Sequence, residues 1–140
     1  MIKSVNISSP GTSYTTAIKT REHKTVLDEP IEEGGYDFGP TPMEMLSGAL
    51  GACTAITLKM YARRKKWELE DVIVDIELEK KFEKDENGRN HRVDTFRKKI
   101  QLKGNLDEDQ KRRLLEIAGK CPVNRTIAYN KVVMLEELAG

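Results

Sequence analysis

The sequence predicts a mixed fold of helices and antiparallel strands, and three stretches predict it. An uncharged helical run follows Gly39-Pro40-Thr41-Pro42-Met43-Glu44. A segment of period-2 hydrophobicity from Val72 leads to Asn87-Gly88, a strong hairpin signal. Short strand-forming segments separated by turn residues precede both.

Taken in order, residues 2–8 (Ile2, Val5, Ile7) form a short strand, and Ser8-Ser9-Pro10-Gly11 a turn. Tyr14 to Lys19 and His23 to Leu27 complete an antiparallel meander around Thr20-Arg21-Glu22. Asp28-Glu29-Pro30 ends it, and Glu32 to Gly39 is an acidic, Gly-rich loop. The long helix then starts on Thr41 as N-cap, with Pro42 in the first turn and Glu44 closing a T-x-x-E capping box. Between Glu44 and Lys59 no charge appears, and apolar residues fall on nearly every side, so burial all round is expected up to about Lys65. The basic exit Arg63-Arg64-Lys65-Lys66 suits the negative end of the helix dipole, and Trp67 marks the departure.

Val72, Val74, Ile76 and Leu78 give a strand with one wet face, running on through Phe82. The return strand is Arg92 to Leu102, with Val93, Thr95, Phe96 and Ile100 assigned to its covered face. Asn105 caps a second helix, Leu106 to Lys120, whose apolar stripe is Leu114, Leu115, Ile117 and Ala118. Pro122 opens a short third helix through Tyr129, and Lys131 to Leu138 closes as a last strand.

The 140 residues fit one domain, 1–140, with a modest core. Hydrophobic residues make up 38% and charged residues 34%, which leaves apolar area for a partner chain to cover. A net charge of +1 gives no global field for nucleic acid or an anionic membrane. The basic runs Arg63–Lys66 and Arg112-Arg113 lack neighbouring aromatic platforms, so they read as solvated helix surface. The uncharged run Met45–Leu58 is too short to span a bilayer, and the start of the chain lacks a signal-like apolar region. A soluble cytoplasmic protein is expected, with its two cysteines held as thiols. Two cysteines and two histidines at these spacings make no zinc pattern, and no cofactor is expected.

Those cysteines, Cys53 in the long helix and Cys121 before Pro122, carry the chemistry. A thiolate, not a thiol, attacks electrophiles and peroxides. Cys121 has a local reason to ionise, since as an N-cap its sulfur faces free backbone N–H groups and the positive helix end. Cys53, among Leu50, Ile56 and Met60, would be disfavoured as a thiolate unless tertiary structure brings a cation to it. Local sequence thus favours a reactive Cys121 over a reactive Cys53, and either residue is also consistent with a small buried hydrophobe.

Gly34-Gly35-Tyr36-Asp37-Phe38-Gly39-Pro40-Thr41-Pro42-Met43-Glu44-Met45-Leu46, followed by Ala49-Leu50-Gly51-Ala52-Cys53-Thr54-Ala55, resembles the signature of the OsmC/Ohr family. Cys121-Pro122-Val123-Asn124-Arg125-Thr126 resembles that family's second-cysteine motif. The resemblance covers nearly the whole chain. It implies an α+β subunit, with antiparallel sheets wrapped around a long buried central helix, in an intertwined homodimer. It implies thiol-dependent reduction of hydroperoxides, preferably organic ones, as part of oxidative stress defence. Cys53 would be the peroxidatic thiol and Cys121 the resolving one, with an external dithiol as reductant. The family's thiolate-stabilising cation comes from the N-terminal meander, where Arg21 is the only arginine before Cys53 and His23 is a weaker alternative.

One position departs from that pattern. The peroxide-reducing subgroups carry a glutamate ten positions before the first cysteine, where this chain has Met43. Glu44 is explained by its capping box, and Asp28, Glu29 and Asp37 are the acids that would have to substitute. The alternative function is a non-catalytic relative binding a small apolar ligand at the dimer interface, with Met43, Met45 and Met60 as lining residues.

Overall fold

The helix α1 (Pro42–Lys65) begins on the hydrogen bonds its capping box predicts. The Glu44 N–H donates to Thr41 Oγ1 at 3.1 Å, and the Thr41 N–H donates to Glu44 Oε1 at 2.9 Å. It ends where Lys66 takes a left-handed φ of 59°. There the Trp67 N–H reaches back to the Ala62 carbonyl and the Lys66 N–H to that of Arg63, which satisfies two carbonyls that a helix end leaves free.

The computed structural model describes residues 3–140, so the predicted participation of Ile2 in the first strand lies outside the described residues. The remaining elements are strands β1 (Asn6–Ser8), β2 (Thr16–Thr20), β3 (His23–Leu27), β4 (Glu68–Lys84) and β5 (Asn90–Asn105), and helices α2 (Glu108–Ala118) and α3 (Pro122–Ala128). A single 3-10 turn spans Ile31–Glu33. The architecture is α+β, with one three-stranded and one two-stranded antiparallel sheet. The chain divides into two compact units, one ending at Leu46 and the other comprising Ser47–Gly140.

In the first unit β1, β2 and β3 form the expected meander, with Ile18 paired to Ile7 on one side and Thr25 on the other. Its following loop is organised by Asp28, which is almost fully buried. The Asp28 carboxylate accepts from the Thr15 hydroxyl (2.8 Å), the Glu29 N–H (2.8 Å) and the Phe38 N–H (3.3 Å). Gly35 is required here, because a Cβ would stand 1.9 Å from the Glu29 carbonyl oxygen.

In the second unit β4 and β5 make a long ribbon around the Asn87-Gly88 turn. Leu58, Tyr61, Leu114, Ile117 and Ala118 form the core, with Trp67, Leu69, Val72, Ile100, Leu102 and Leu106 packed against it. Gly51 lets α1 approach the ribbon closely, since a Cβ there would come within 3.2 Å of Ile76 Cδ1.

Five expectations are corrected. First, α1 is apolar on all sides, but this chain buries only the stripe Leu50, Thr54, Leu58, Tyr61 and Ala62. Ile56 and Met60 are 55% and 66% exposed. Second, Val93 and Thr95 lie on the face of β5 opposite the apolar pairs, Val93 half-buried and Thr95 exposed, since Val93 pairs with Lys81 and Thr95 with Glu79. The covered face is Phe96, Lys98, Ile100 and Leu102, opposite Leu78, Ile76, Val74 and Val72. Third, Asn105 ends β5, and Asp107 caps α2 in a reciprocal box with Gln110. Fourth, Leu115 leaves the α2 stripe and is 63% exposed. Fifth, 131–140 carries no strand. Its apolar residues Val132, Val133, Met134, Leu135 and Leu138 are exposed, and with no neighbouring strand to exchange hydrogen bonds a strand-forming apolar run alone does not make a ladder.

Candidate active site

Cys121 is the N-cap of α3, and its sulfur accepts from the Asn124 N–H at 3.4 Å. Pro122 at the first helical position costs no hydrogen bond there. The Asn124 side chain donates to the Gly119 carbonyl at 3.0 Å, fixing the turn that leads from α2 into the cap. Cys121 is fully buried, whereas Cys53 on α1 is half-buried. The two thiols, distant in sequence, are brought to one place by Thr54, which follows Cys53 on α1 and whose hydroxyl stands 3.6 Å from Cys121 Sγ.

Thr54, the neighbour of Cys53, is the joint of the site. Its hydroxyl donates to the Leu50 carbonyl at 2.9 Å, as a threonine in mid-helix commonly does. It also stands 3.6 Å from Cys121 Sγ. Lys98 Nζ donates to the same hydroxyl at 2.8 Å and to the Ala118 carbonyl at 2.9 Å. An ammonium from the covered face of β5 therefore ties α1 to the end of α2, one hydroxyl removed from Cys121 Sγ.

The electrostatics follow from these contacts. Burial pushes the Cys121 thiol up. The Asn124 N–H, the Thr54 hydroxyl, the Cys53 thiol and the Lys98 charge outweigh it and hold Cys121 below its ordinary value. Burial lowers Lys98 below the usual lysine value, against the pull of Cys121 and Cys53. The result is a buried sulfur held below its ordinary value, a second cysteine that is half-buried, and a cation whose charge bears on both.

Thr54 and Lys98 were not anticipated. The signal for Lys98 was present in Phe96-Arg97-Lys98-Lys99-Ile100-Gln101-Leu102, where strict alternation from Phe96 places Lys98 among apolar neighbours. Arg21 sits in the exposed β2–β3 turn of the first unit with a left-handed φ of 51°, and His23 begins β3. Glu44 is held by its capping box, and the Thr41 N–H keeps its carboxyl below the usual range. Asp28 is likewise engaged within its own loop. Among the described residues no cluster of three or more His, Cys, Asp or Glu side chains is placed to hold a metal ion. No helix among them is long and apolar enough to cross a membrane.

The family model for the OsmC-like protein matches residues 33–136, which include both cysteines, Thr54 and Lys98. The chain belongs to the OsmC-like family. Solved structures agree on the fold. A protein from Psychrobacter arcticus 273-4, named for osmotic stress induction and a detoxification response, superposes with a TM-score of 0.74 at 14% identity, over 92% of this chain and 90% of that one. The OsmC-like protein of Mycoplasma pneumoniae gives 0.73 at 14% identity, over 92% and 89%. The organic hydroperoxide resistance protein OsmC of Legionella pneumophila gives 0.66 at 21% identity, over 93% of each chain. No curated protein matches the sequence significantly.

Proposed function

We propose that this OsmC-like protein reduces organic hydroperoxides with Cys53 as the attacking and Cys121 as the resolving thiol. The observation that carries the proposal is the joining of a half-buried and a buried cysteine at Thr54, whose hydroxyl accepts from the Lys98 ammonium at 2.8 Å and stands 3.6 Å from Cys121 Sγ. The Legionella relative, named for organic hydroperoxide resistance, supports the substrate class.

The Cys53 thiolate attacks the terminal oxygen of the hydroperoxide. The O–O bond breaks, Cys53 becomes a sulfenic acid, and the alkoxide takes a proton to leave as the alcohol. The Cys121 thiolate attacks the Cys53 sulfur, forming the S–S bond and expelling hydroxide, which leaves as water after protonation. A dithiol then reduces the disulfide and is itself oxidised. Arg21 serves in this proposal as a further cation toward Cys53, in a cytoplasmic homodimer that protects against oxidative stress.

The test is a titration of reduced protein with an alkyl hydroperoxide, reading free thiols and intact mass, for wild type, Cys53→Ser, Cys121→Ser and Arg21→Ala. Wild type loses two thiols and two hydrogens, Cys121→Ser alone gives a trappable sulfenic acid, and Arg21→Ala forms the disulfide more slowly. A sulfenic acid found only in Cys53→Ser reverses the two roles. Thiols that survive excess hydroperoxide overturn the proposal.

A second reading is supported by the exposed stripe Ala49, Ala52, Ile56 and Met60 on α1: a member of the fold that binds an apolar ligand where two chains meet, without turnover. Surviving thiols together with saturable binding of a fatty acid would favour it.

A further inference from the structure

Lys98 is half-buried on the covered face of β5 between Phe96 and Ile100, opposite Ile76. Its ammonium donates to one hydroxyl and one carbonyl, both neutral. Among the described residues, the titratable groups bearing on it are Cys53 from α1 and Cys121 from the cap of α3. The carbonyl comes from the end of α2, and β4 places the apolar Ile76 opposite. The only negative charge that the site offers Lys98 is therefore a thiolate.

We infer that Lys98 makes the Cys53–Cys121 disulfide a readily reduced one, because the ammonium has a counter-charge in the dithiol state and none in the disulfide state. The inference rests on the two-cysteine reading only in requiring that the two sulfurs form a bond. In the reduced protein the Thr54 hydroxyl links the Lys98 ammonium, at 2.8 Å, to Cys121 Sγ, at 3.6 Å, so ionisation of Cys121 supplies the ammonium with a counter-charge. In the oxidised protein both sulfurs are neutral, and a partly buried charge keeps only dipolar partners. The ammonium either bears that cost or releases its proton, and both outcomes raise the free energy of the disulfide state. A stabilised reduced form makes a disulfide more oxidising.

The same arrangement selects the sulfur that a reductant attacks. A thiol of lower pKa is the better leaving group. Cys121 is also fully buried, while Cys53 is only half-buried. An external dithiolate therefore attacks Cys53 Sγ, the S–S bond breaks and Cys121 leaves as the thiolate beside Lys98. The second thiol of the reductant then displaces Cys53, which takes up one proton. Two electrons pass to the protein, and the reductant becomes a disulfide.

The experiment equilibrates wild type, Lys98→Met and Lys98→Arg with graded ratios of reduced and oxidised dithiothreitol, quenches by alkylation, and weighs dithiol against disulfide. In parallel, ultraviolet thiolate absorbance is titrated against pH in Cys53→Ser, with and without Lys98→Met. Lys98→Met is expected to shift the exchange equilibrium about tenfold toward the disulfide, equivalent to about 30 mV, and to move the Cys121 titration upward. Lys98→Arg is expected to remain near wild type in the exchange. Exchange constants for wild type and Lys98→Met within about twofold of each other, or an unmoved thiolate titration, overturn the inference. Should Lys98→Met fail to fold, Lys98→Gln removes the charge and keeps a donor for Ala118, under the same expectations. A wild type that forms no disulfide at any ratio overturns both this inference and the two-cysteine mechanism. A disulfide that responds to Lys98 in a protein that leaves alkyl hydroperoxide unconsumed upholds the inference and overturns the peroxidase proposal alone.

Discussion

Asp28 in the first unit and Lys98 in the second are both charges withdrawn from water, and their surroundings differ in kind. Asp28 is met by a hydroxyl and several backbone N–H groups, with no titratable side chain among its partners. Its charge is spent on holding the loop that leads toward α1. Lys98 has two neutral partners and two thiols. A buried charge with its bonding capacity filled by the backbone is a structural fixture, whereas one left to share its charge with nucleophiles is part of a reaction.

Substitution breaks the comparison most sharply at Lys98. Lys98→Met keeps the length of the side chain on an apolar face but takes the donor from the Ala118 carbonyl, so stability should fall by no more than about 1–3 kcal/mol. Disulfide formation after oxidation of Cys53, followed near neutral pH in a stopped-flow assay, should slow by about tenfold, since each unit by which the Cys121 thiol rises is a factor of ten in resolving thiolate. Asp28→Asn should do the reverse: the thiol titration of the second unit stays in place while amide protection at Glu29 and Phe38 drops, as read by hydrogen exchange. A loss of protection in Lys98→Met to match that in Asp28→Asn would erase the distinction.

Thr54→Val sharpens it further. The substitution preserves shape but strips Lys98 and Cys121 of a shared hydroxyl. It should cost about 1–3 kcal/mol in urea unfolding, the usual penalty for a buried polar group left without its partner. Thr54→Ser should recover most of that loss.

The smallest effect lies in the pH dependence, and the two charges should separate by window. The Asp28 carboxyl, opposed by burial but bound by the Glu29 N–H, Thr15 and the Phe38 and Tyr36 N–H groups, sits below its ordinary value. Its contribution is present above the usual carboxylate range and is lost as pH falls through the depressed folded value. Cys121 is also depressed, so its contribution is complete above the ordinary thiol range and decays as pH falls through its folded value. Burial lowers Lys98 as well, so the cost of its ammonium is relieved as pH rises through its folded value. The reduced protein should therefore gain stability with rising pH in a higher window and again in an acidic one. Urea midpoints across pH should show Cys121→Ser flattening the first and Asp28→Asn the second.

The features legible in the sequence were those decided within a few residues. The Thr41–Glu44 box, the Asn87-Gly88 turn and Cys121 ahead of Pro122 each contain their own hydrogen-bond partners, and each stands as expected. What escaped notice depended on partners far along the chain. Lys98 acquires its meaning from Thr54 and Ala118 on two helices. Val93 and Thr95 were placed on the wrong face because a run of charged residues hides the alternation that Phe96, Ile100 and Leu102 define. The stretch 131–138 has a short apolar run of strand formers but no strand beside it to complete one. Asn105 and Asp107 are both good caps by type, and only Asp107 has Gln110 three residues on to return the bond.

The β4–β5 ribbon has one more consequence. A strand is a two-state address: each residue points inward or outward, and counting by one exchanges the two. Lys98 is inward, flanked by the outward Arg97 and Lys99. Its parity is maintained by the pairing that runs back through the Asp85–Arg89 turn, where the Asp85 side chain accepts from the Asn87 and Arg89 N–H groups. Adding or deleting a single codon in that turn, remote from either sulfur, is thus a way for a genome to silence the thiols, or to retune them, while every residue of the site stays intact.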